Sequence, residues 1–317
     1  MMENWASKDQ TGQVYLPEGY GLFLKACGPA RTKSNAPVVI LVHGLGGSAS
    51  EWLDVQRVVS DFARVYLYER SGYQGSDPSP NDPTPQSIAA ELRALLQAAA
   101  IAPPYLLVGH SYGGVIVRQF LADFASTVSG MVLVDSVPVV NKFPTVWTKL
   151  LGNASYAEVV GLRANLSVNE KDYDSIEHES ELNEQPGGIA ERELGFIVPG
   201  NQRLTEHLQG KKALGSGRLC VIWCDEARDF RRVYEHGVRH GYGTSDEQEI
   251  VRAHLETMSM DEEVAQRTQL ALSSTARFVR AEGVRATHNV HMVDPGWVAQ
   301  QIRWVFDGVQ SNVPVVV

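Results

Sequence analysis

The sequence predicts an α/β fold: a mostly parallel, doubly wound sheet of about eight strands, helices on both faces, and a helical cap inserted after the sixth strand. Three observations predict it. Strand-like apolar runs alternate with stretches of helical periodicity along most of the chain. Inner runs such as VVILVHG (38–44) are continuous and β-branched, as expected of strands buried on both faces. One connection, from Ser136 to Arg218, runs to about eighty residues, far beyond an ordinary crossover.

Each element follows from local pattern. QVYLP and YGLFLKAC form an opening antiparallel pair across a short Glu-Gly turn. After VVILVHG, the segment SASEWLDVQRVVSDF places Trp52, Val55, Val58, Val59 and Phe62 at helical spacing. ARVYLYER is the next strand, and the turn-rich SGYQGSDPSPNDP follows it. Thr84 caps and Pro85 opens a helix with Ile88, Leu92, Leu95 and Leu96 on one face. PYLLVGH is a strand and VIVRQFLADFA a helix. GMVLVDS (130–136), RLCVIWC (218–224) and ARFVRAEG (276–283) complete the strands. WVAQQIRWVFDGV closes the pattern as an amphipathic helix with Trp297, Ile302, Val305 and Phe306 inward.

The long connection carries Phe143, Trp147, Leu150, Leu151, Tyr156, Val159 and Leu162 at roughly helical spacing, the pattern of a cap over the sheet's edge. The chain therefore divides into a first core part (1–136), a cap (137–217) and a second core part (218–317). A second long connection, from Asp225 to Thr275, is charged and reads as helical over much of its length. The short tail VPVVV either frays or packs on a neighbouring chain, and the pattern fixes no oligomeric state.

Composition narrows the function. The 317 residues are 44% hydrophobic and 21% charged, with a formal net charge of −9. No Lys/Arg block is present to meet a phosphate backbone, so nucleic acid is not an expected partner. No apolar run is long enough to span a bilayer, and MMENWASKDQTGQ lacks the apolar centre of a secretory signal. Three cysteines, Cys27, Cys220 and Cys224, do not suggest a disulfide framework. A cytoplasmic setting is expected, with no membrane association.

GHSYGG (109–114) carries the chemistry. It lies where an apolar strand ends and a helix begins. A serine at such a bend projects its hydroxyl above the sheet, and the strained backbone requires small neighbours, here Gly109 and Gly113. The following helix turns its positive end toward any anion formed there. No cofactor is implied. HGLGG after a strand lacks the spacing of a dinucleotide site, and His236 and His240, without a third ligand, make a weak metal site.

The chain resembles members of the α/β-hydrolase superfamily. The resemblance rests on HGLGG (43–47), GYQGSD (72–77), GHSYGG (109–114), MVLVDSVP (131–138) and THNVHMVDP (287–295), which run in the family's order. It implies a serine nucleophile, Ser111, and an oxyanion hole from the backbone N–H groups of Tyr112 and Leu45, with Gly46 as the alternative to Leu45. It implies a base in the loop after the last strand, about seven residues before a proline. That is His288, with His291 as the alternative, although Thr287 stands where the family often has glycine. The family's usual acid position after RLCVIWC holds Ala227, with Asp225, Glu226 and Asp229 out of step. Some members place the acid one strand earlier, and Asp135 stands there. Asp135 is the expected acid, with Asp225 and Asp229 as alternatives.

The expected activity is hydrolysis of an ester, lactone or thioester of a medium-sized, largely apolar small molecule through an acyl-enzyme on Ser111, with the cap setting substrate choice. The same groups on this scaffold also serve C–C cleavage or lyase chemistry, and a catalytically silent binder is a further alternative.

Overall fold

A computed structural model describes residues 4–136, 138, 144–167 and 170–311; Phe143 and the VPVVV tail lie outside the described residues. Alternating side chains along the central strands set up two apolar layers. Val38, Ile40 and Val42 join a cluster on one face with Leu92, Leu107 and Ile116. Val39 and Leu41 join a cluster on the other with Trp52, Val55, Val108 and Ile302. A run buried on both faces therefore has no polar side, as its sequence implied.

Eight strands form one sheet in the order β1-β2-β4-β3-β5-β6-β7-β8. They are β1 (Gln10–Tyr15), β2 (Gly21–Cys27), β3 (Val38–Val42), β4 (Val65–Tyr68), β5 (Tyr105–His110), β6 (Val128–Val134), β7 (Gly215–Trp223) and β8 (Ser273–Arg280). β1 and β2 pair antiparallel, as do β2 and β4; the other pairs are parallel. This is the mostly parallel α/β-hydrolase sheet expected from the sequence. Helices α1 (Leu53–Val59), α2 (Pro85–Ala98) and α3 (Tyr112–Phe124) and a carboxy-terminal helix (Pro295–Ser311) cover it. The Thr84 side chain accepts from the Ser87 N–H at 3.1 Å, so Thr84 caps α2 and Pro85 occupies its first turn.

Register places the site. Val42 stands beside Gly109, His110 beside Val134, Val134 beside Ile222 and Trp223 beside Arg280. The carboxyl ends of β3, β5, β6, β7 and β8 therefore finish side by side, and the loops leaving them meet above one edge of the sheet.

Two excursions cover that edge. After β6 come a 3₁₀ segment (Thr145–Leu151), α4 (Tyr156–Val159), α5 (Glu170–Glu184) and α6 (Ile189–Leu208). After β7 come α7 (Ala227–His240), α8 (Ser245–Leu255) and α9 (Met258–Thr268). They share a third apolar cluster: Leu150, Val160, Leu162 and Ile176 from the first, Phe230, Val233, Leu255 and Met258 from the second. The stretch from Trp147 to Leu162 is short pieces rather than a continuous helix, broken at Gly152 and Gly161, both at positive φ.

Candidate active site

Ser111 links β5 to α3 at φ 51° and ψ −121°, in backbone space that L-residues rarely enter. The residues two before and two after it must lack side chains. A Cβ on Gly109 would stand 2.5 Å from the Gly113 carbonyl oxygen, and one on Gly113 would overlap the carbonyl of Val42. The Ser111 N–H donates to the Val134 carbonyl at 3.0 Å, anchoring the bend to β6. Ser111 Oγ has no hydrogen-bond partner among the described residues.

Asp135, at the end of β6, also has positive φ, 45°. It is 3% exposed and fully engaged. Its Oδ1 accepts from the Cys224 N–H at 3.0 Å and from Gln266 Nε2 at 2.8 Å. Its Oδ2 lies 2.8 Å from Nδ1 of His288. The acceptor-only carboxylate puts a proton on Nδ1 and leaves Nε2 available to the cavity. The His288 carbonyl accepts from His110 Nε2 at 2.9 Å, fixing the loop from behind.

The structure brings Leu45, Ser111, Tyr112, Asp135 and His288 to one cavity of about 330 Å³. The Gly46 N–H donates to the Tyr73 hydroxyl at 3.2 Å, so the alternative oxyanion donor is already engaged. No hydrogen bond among the described residues takes the N–H of Leu45 or Tyr112. Asp225 and Asp229 form no hydrogen bond to His288. Asp229 lies 3.9 Å from Arg232 and lines a separate cleft with Thr287. His291 is wholly buried away from the cavity, stacked on Trp52 at 4.6 Å between centroids.

Two acids that sequence reasoning gave no role stand beside the imidazole. Glu226 Oε2 is 4.0 Å from His288 Nδ1, and Glu262 of α9 lines the same cavity. Burial pulls the His288 pKa down, but Glu226, Asp135 and Glu262 more than reverse this and raise it to about 10. Burial pushes Glu226 up to about 7 and Glu262 up to about 9. The local signal for Glu226 was its place in the turn after β7; nothing local marks Glu262.

The loop after β3 is held by a buried polar network. Arg70 donates through Nε and Nη2 to the two carboxylate oxygens of Glu193 on α6, at 2.6 and 2.9 Å. Both residues are about 1% exposed. Arg70 also donates to the carbonyls of His43 and Gly44, each at 2.8 Å, and to the Tyr73 hydroxyl at 2.9 Å. The Tyr73 hydroxyl donates to Glu193 Oε2 at 2.6 Å. Asn183 of α5 donates to the carbonyls of Gly46 and Gly47 at 3.2 and 3.1 Å.

Two groups bring three potential metal ligands within 4.8 Å of one another: Glu51, His110 and His291, and Asp135, Glu226 and His288. No third such ligand joins His236 and His240 among the described residues. Among those residues no helix is long and apolar enough to cross a membrane.

Comparison with known proteins places this architecture. Residues 37–156 match the family model described as alpha/beta hydrolase fold. A protein of Gibberella zeae described as an AB hydrolase superfamily protein is 29% identical over 300 residues, 89% of this chain and 90% of that protein. A protein of Hormonema carpetanum described as a probable transporter, efuK, is 28% identical over 304 residues, and the match spans 92% of this chain but 42% of that protein. Among solved structures, the epoxide hydrolase CorEH superimposes with a TM-score of 0.60 at 16% identity, covering 95% of this chain and 100% of that one. The enol-lactonase from Burkholderia xenovorans LB400 gives 0.57 at 14% identity, covering 93% and 99%. The chain has the α/β-hydrolase fold. Neighbours with such different activities show the shared fold and leave the reaction to be argued from the site.

Proposed function

We propose that this protein is a serine hydrolase that cleaves an ester, lactone or thioester of a medium-sized, largely apolar small molecule. The observation that carries the reading is the Asp135–His288 pair, 2.8 Å apart, in the same cavity as a serine held at positive φ on a strand-to-helix bend. In the mechanism, Nε2 of His288 takes the Ser111 proton as Oγ attacks the carbonyl carbon. Charge on the carbonyl oxygen is met by the N–H groups of Leu45 and Tyr112, and by the positive end of α3. The imidazolium then protonates the leaving group, and water repeats the sequence on the acyl-enzyme. Asp135 holds the imidazole in the required orientation throughout. The chemistry requires Ser111 Oγ to come within hydrogen-bond reach of Nε2, a contact that often tightens only when substrate binds.

The cavity walls support the proposed substrate class. Leu45, Tyr112, Val115, Trp147, Ile197 and Phe230 form an apolar surface, and a volume of about 330 Å³ suits a small molecule. Pre-steady-state hydrolysis of an activated aryl ester tests the reading. A burst of aryl alcohol equal to the enzyme concentration, lost in Ser111→Ala, supports it. Turnover without a burst or acyl adduct, under conditions where deacylation is slowed, contradicts it.

The acids around His288 favour a second reading, C–C cleavage or lyase chemistry. Three carboxylates stabilise the imidazolium, which suits a group whose first task is to donate a proton. On that reading Ser111→Ala retains part of the activity and no acyl-enzyme forms.

A further inference from the structure

We propose that Arg70, braced by Glu193 of the cap, is a positioning residue that aims the Leu45 N–H at the developing oxyanion, so that docking of helix α6 and assembly of the oxyanion hole are one event. The inference rests on the reading of Ser111 as nucleophile and Leu45 as donor, and adds the residues that hold that donor in place.

Leu45 contributes its N–H through the Gly44–Leu45 peptide, whose C=O belongs to Gly44. A trans peptide is planar, with its C=O and N–H pointing in opposite directions. Whatever fixes the Gly44 carbonyl therefore fixes the direction of the Leu45 N–H. Arg70 Nη2 donates to that carbonyl at 2.8 Å, and Nη1 holds the preceding His43 carbonyl at 2.8 Å. The next peptide is fixed as well. The Gly46 N–H donates to Tyr73, whose hydroxyl is itself bonded to Arg70 and Glu193. Gly46 requires a backbone of φ 71°, and its carbonyl accepts from Asn183. A cation on the Gly44 oxygen also polarises the peptide and strengthens the N–H at its other end.

Arg70 cannot hold this position alone. It is wholly buried, and an unpaired guanidinium there is unfavourable. Glu193 supplies the counter-charge as a two-point fork, matching the planar geometry that guanidinium prefers. Glu193 comes from the cap, 123 residues away in sequence. The next residue on α6, Leu194, is 56% exposed and lines the substrate cavity, as do Ile197 and Val198. One helix thus presents a wall to the substrate and, from the adjacent residue, holds the oxyanion loop in register.

The test measures steady-state ester hydrolysis and affinity for an alkyl or aryl boronic acid, which forms a tetrahedral adduct on an active serine. The proteins are wild type, Glu193→Gln and Tyr73→Phe, each checked for folding by circular dichroism. The expected result is a fall in kcat of about tenfold to a hundredfold for Glu193→Gln, with KM within about twofold. Boronate affinity falls by the same factor, and Tyr73→Phe gives a smaller loss of the same kind. Should Glu193→Gln fail to fold, Tyr73→Phe decides the matter on the same readouts. A folded variant with wild-type kcat and boronate affinity, or one that raises KM alone, overturns the inference. Reactivity of the wild type toward a fluorophosphonate separates the two levels: no reaction there sinks the serine-hydrolase reading itself, whereas normal reaction with unaffected variants sinks only the role of Arg70 and Glu193.

Discussion

Replacing Glu226 by glutamine removes a carboxylate oxygen 4.0 Å from His288 Nδ1 and preserves the side chain's shape. Two unit charges at that distance interact by about 4 kcal/mol at an effective dielectric of about 20. This corresponds to about three pKa units as an upper bound. The working figure is about one to two units, because two coupled groups share their protons. Glu226, lifted by burial to about 7, is ionised in the range where His288 titrates, so its charge is what the substitution removes there. The sign follows from the base. On the proposed mechanism His288 acts as base when deprotonated, and its neighbouring acids raise its pKa to about 10 against the effect of burial. Removing Glu226 lowers that pKa, so the acid limb of kcat/KM moves down by about one to two pH units. At a fixed pH on that limb, activity rises about tenfold to a hundredfold. The assay is ester hydrolysis followed by pH-stat across the limb, alongside wild type. An acid limb that stays in place or moves upward, in a folded variant, refutes the reasoning.

Other substitutions separate the roles of neighbouring groups. Asp135→Asn is expected to lower kcat about 10³- to 10⁴-fold, because the carboxylate that orients Nδ1 is gone. Asp225→Asn, which loses no hydrogen bond to His288, stays within about threefold of wild type in the same assay. Gly109→Ala drives a Cβ to 2.5 Å from the Gly113 carbonyl oxygen, and urea unfolding is expected to show a loss of about 1–3 kcal/mol or more. Leu194→Ala trims the cavity wall, and KM for long-chain acyl esters is expected to rise about fivefold to tenfold with kcat retained.

The legibility of this protein follows the range of the forces involved. The strands were readable because a sheet buried on both faces demands continuous apolar runs, and the Ser111 bend because its glycines are local requirements. The proposed acid, Asp135, was less legible for a geometric reason. β6 and β7 are adjacent parallel strands whose ends finish together, Val134 beside Ile222. Asp135 and the acids after Trp223 therefore all emerge near the loop that carries His288, and sequence order alone cannot rank them. The three hydrogen bonds on Asp135, including those from Cys224 and Gln266, come from elements distant in sequence. Glu262 reads as one more charge on a polar helix until α9 is laid over the cavity. Glu193 reads likewise as an ordinary helical glutamate, since Arg70 sits on the far side of the cap boundary in sequence. The aromatic and aliphatic stretch after Trp147 pointed to a cap; the breaks at Gly152 and Gly161, which divide its roughly helical spacing into short pieces, depend on packing.

In the proposed reaction Ser111 Oγ is the attacking atom. Treatment with a fluorophosphonate, followed by intact-mass and peptide-mapping mass spectrometry, tests it most directly. The expected result is one adduct per chain, on the peptide carrying Ser111, absent from a folded Ser111→Ala variant. Equal labelling of Ser111→Ala, or an adduct confined to a different residue, would contradict it.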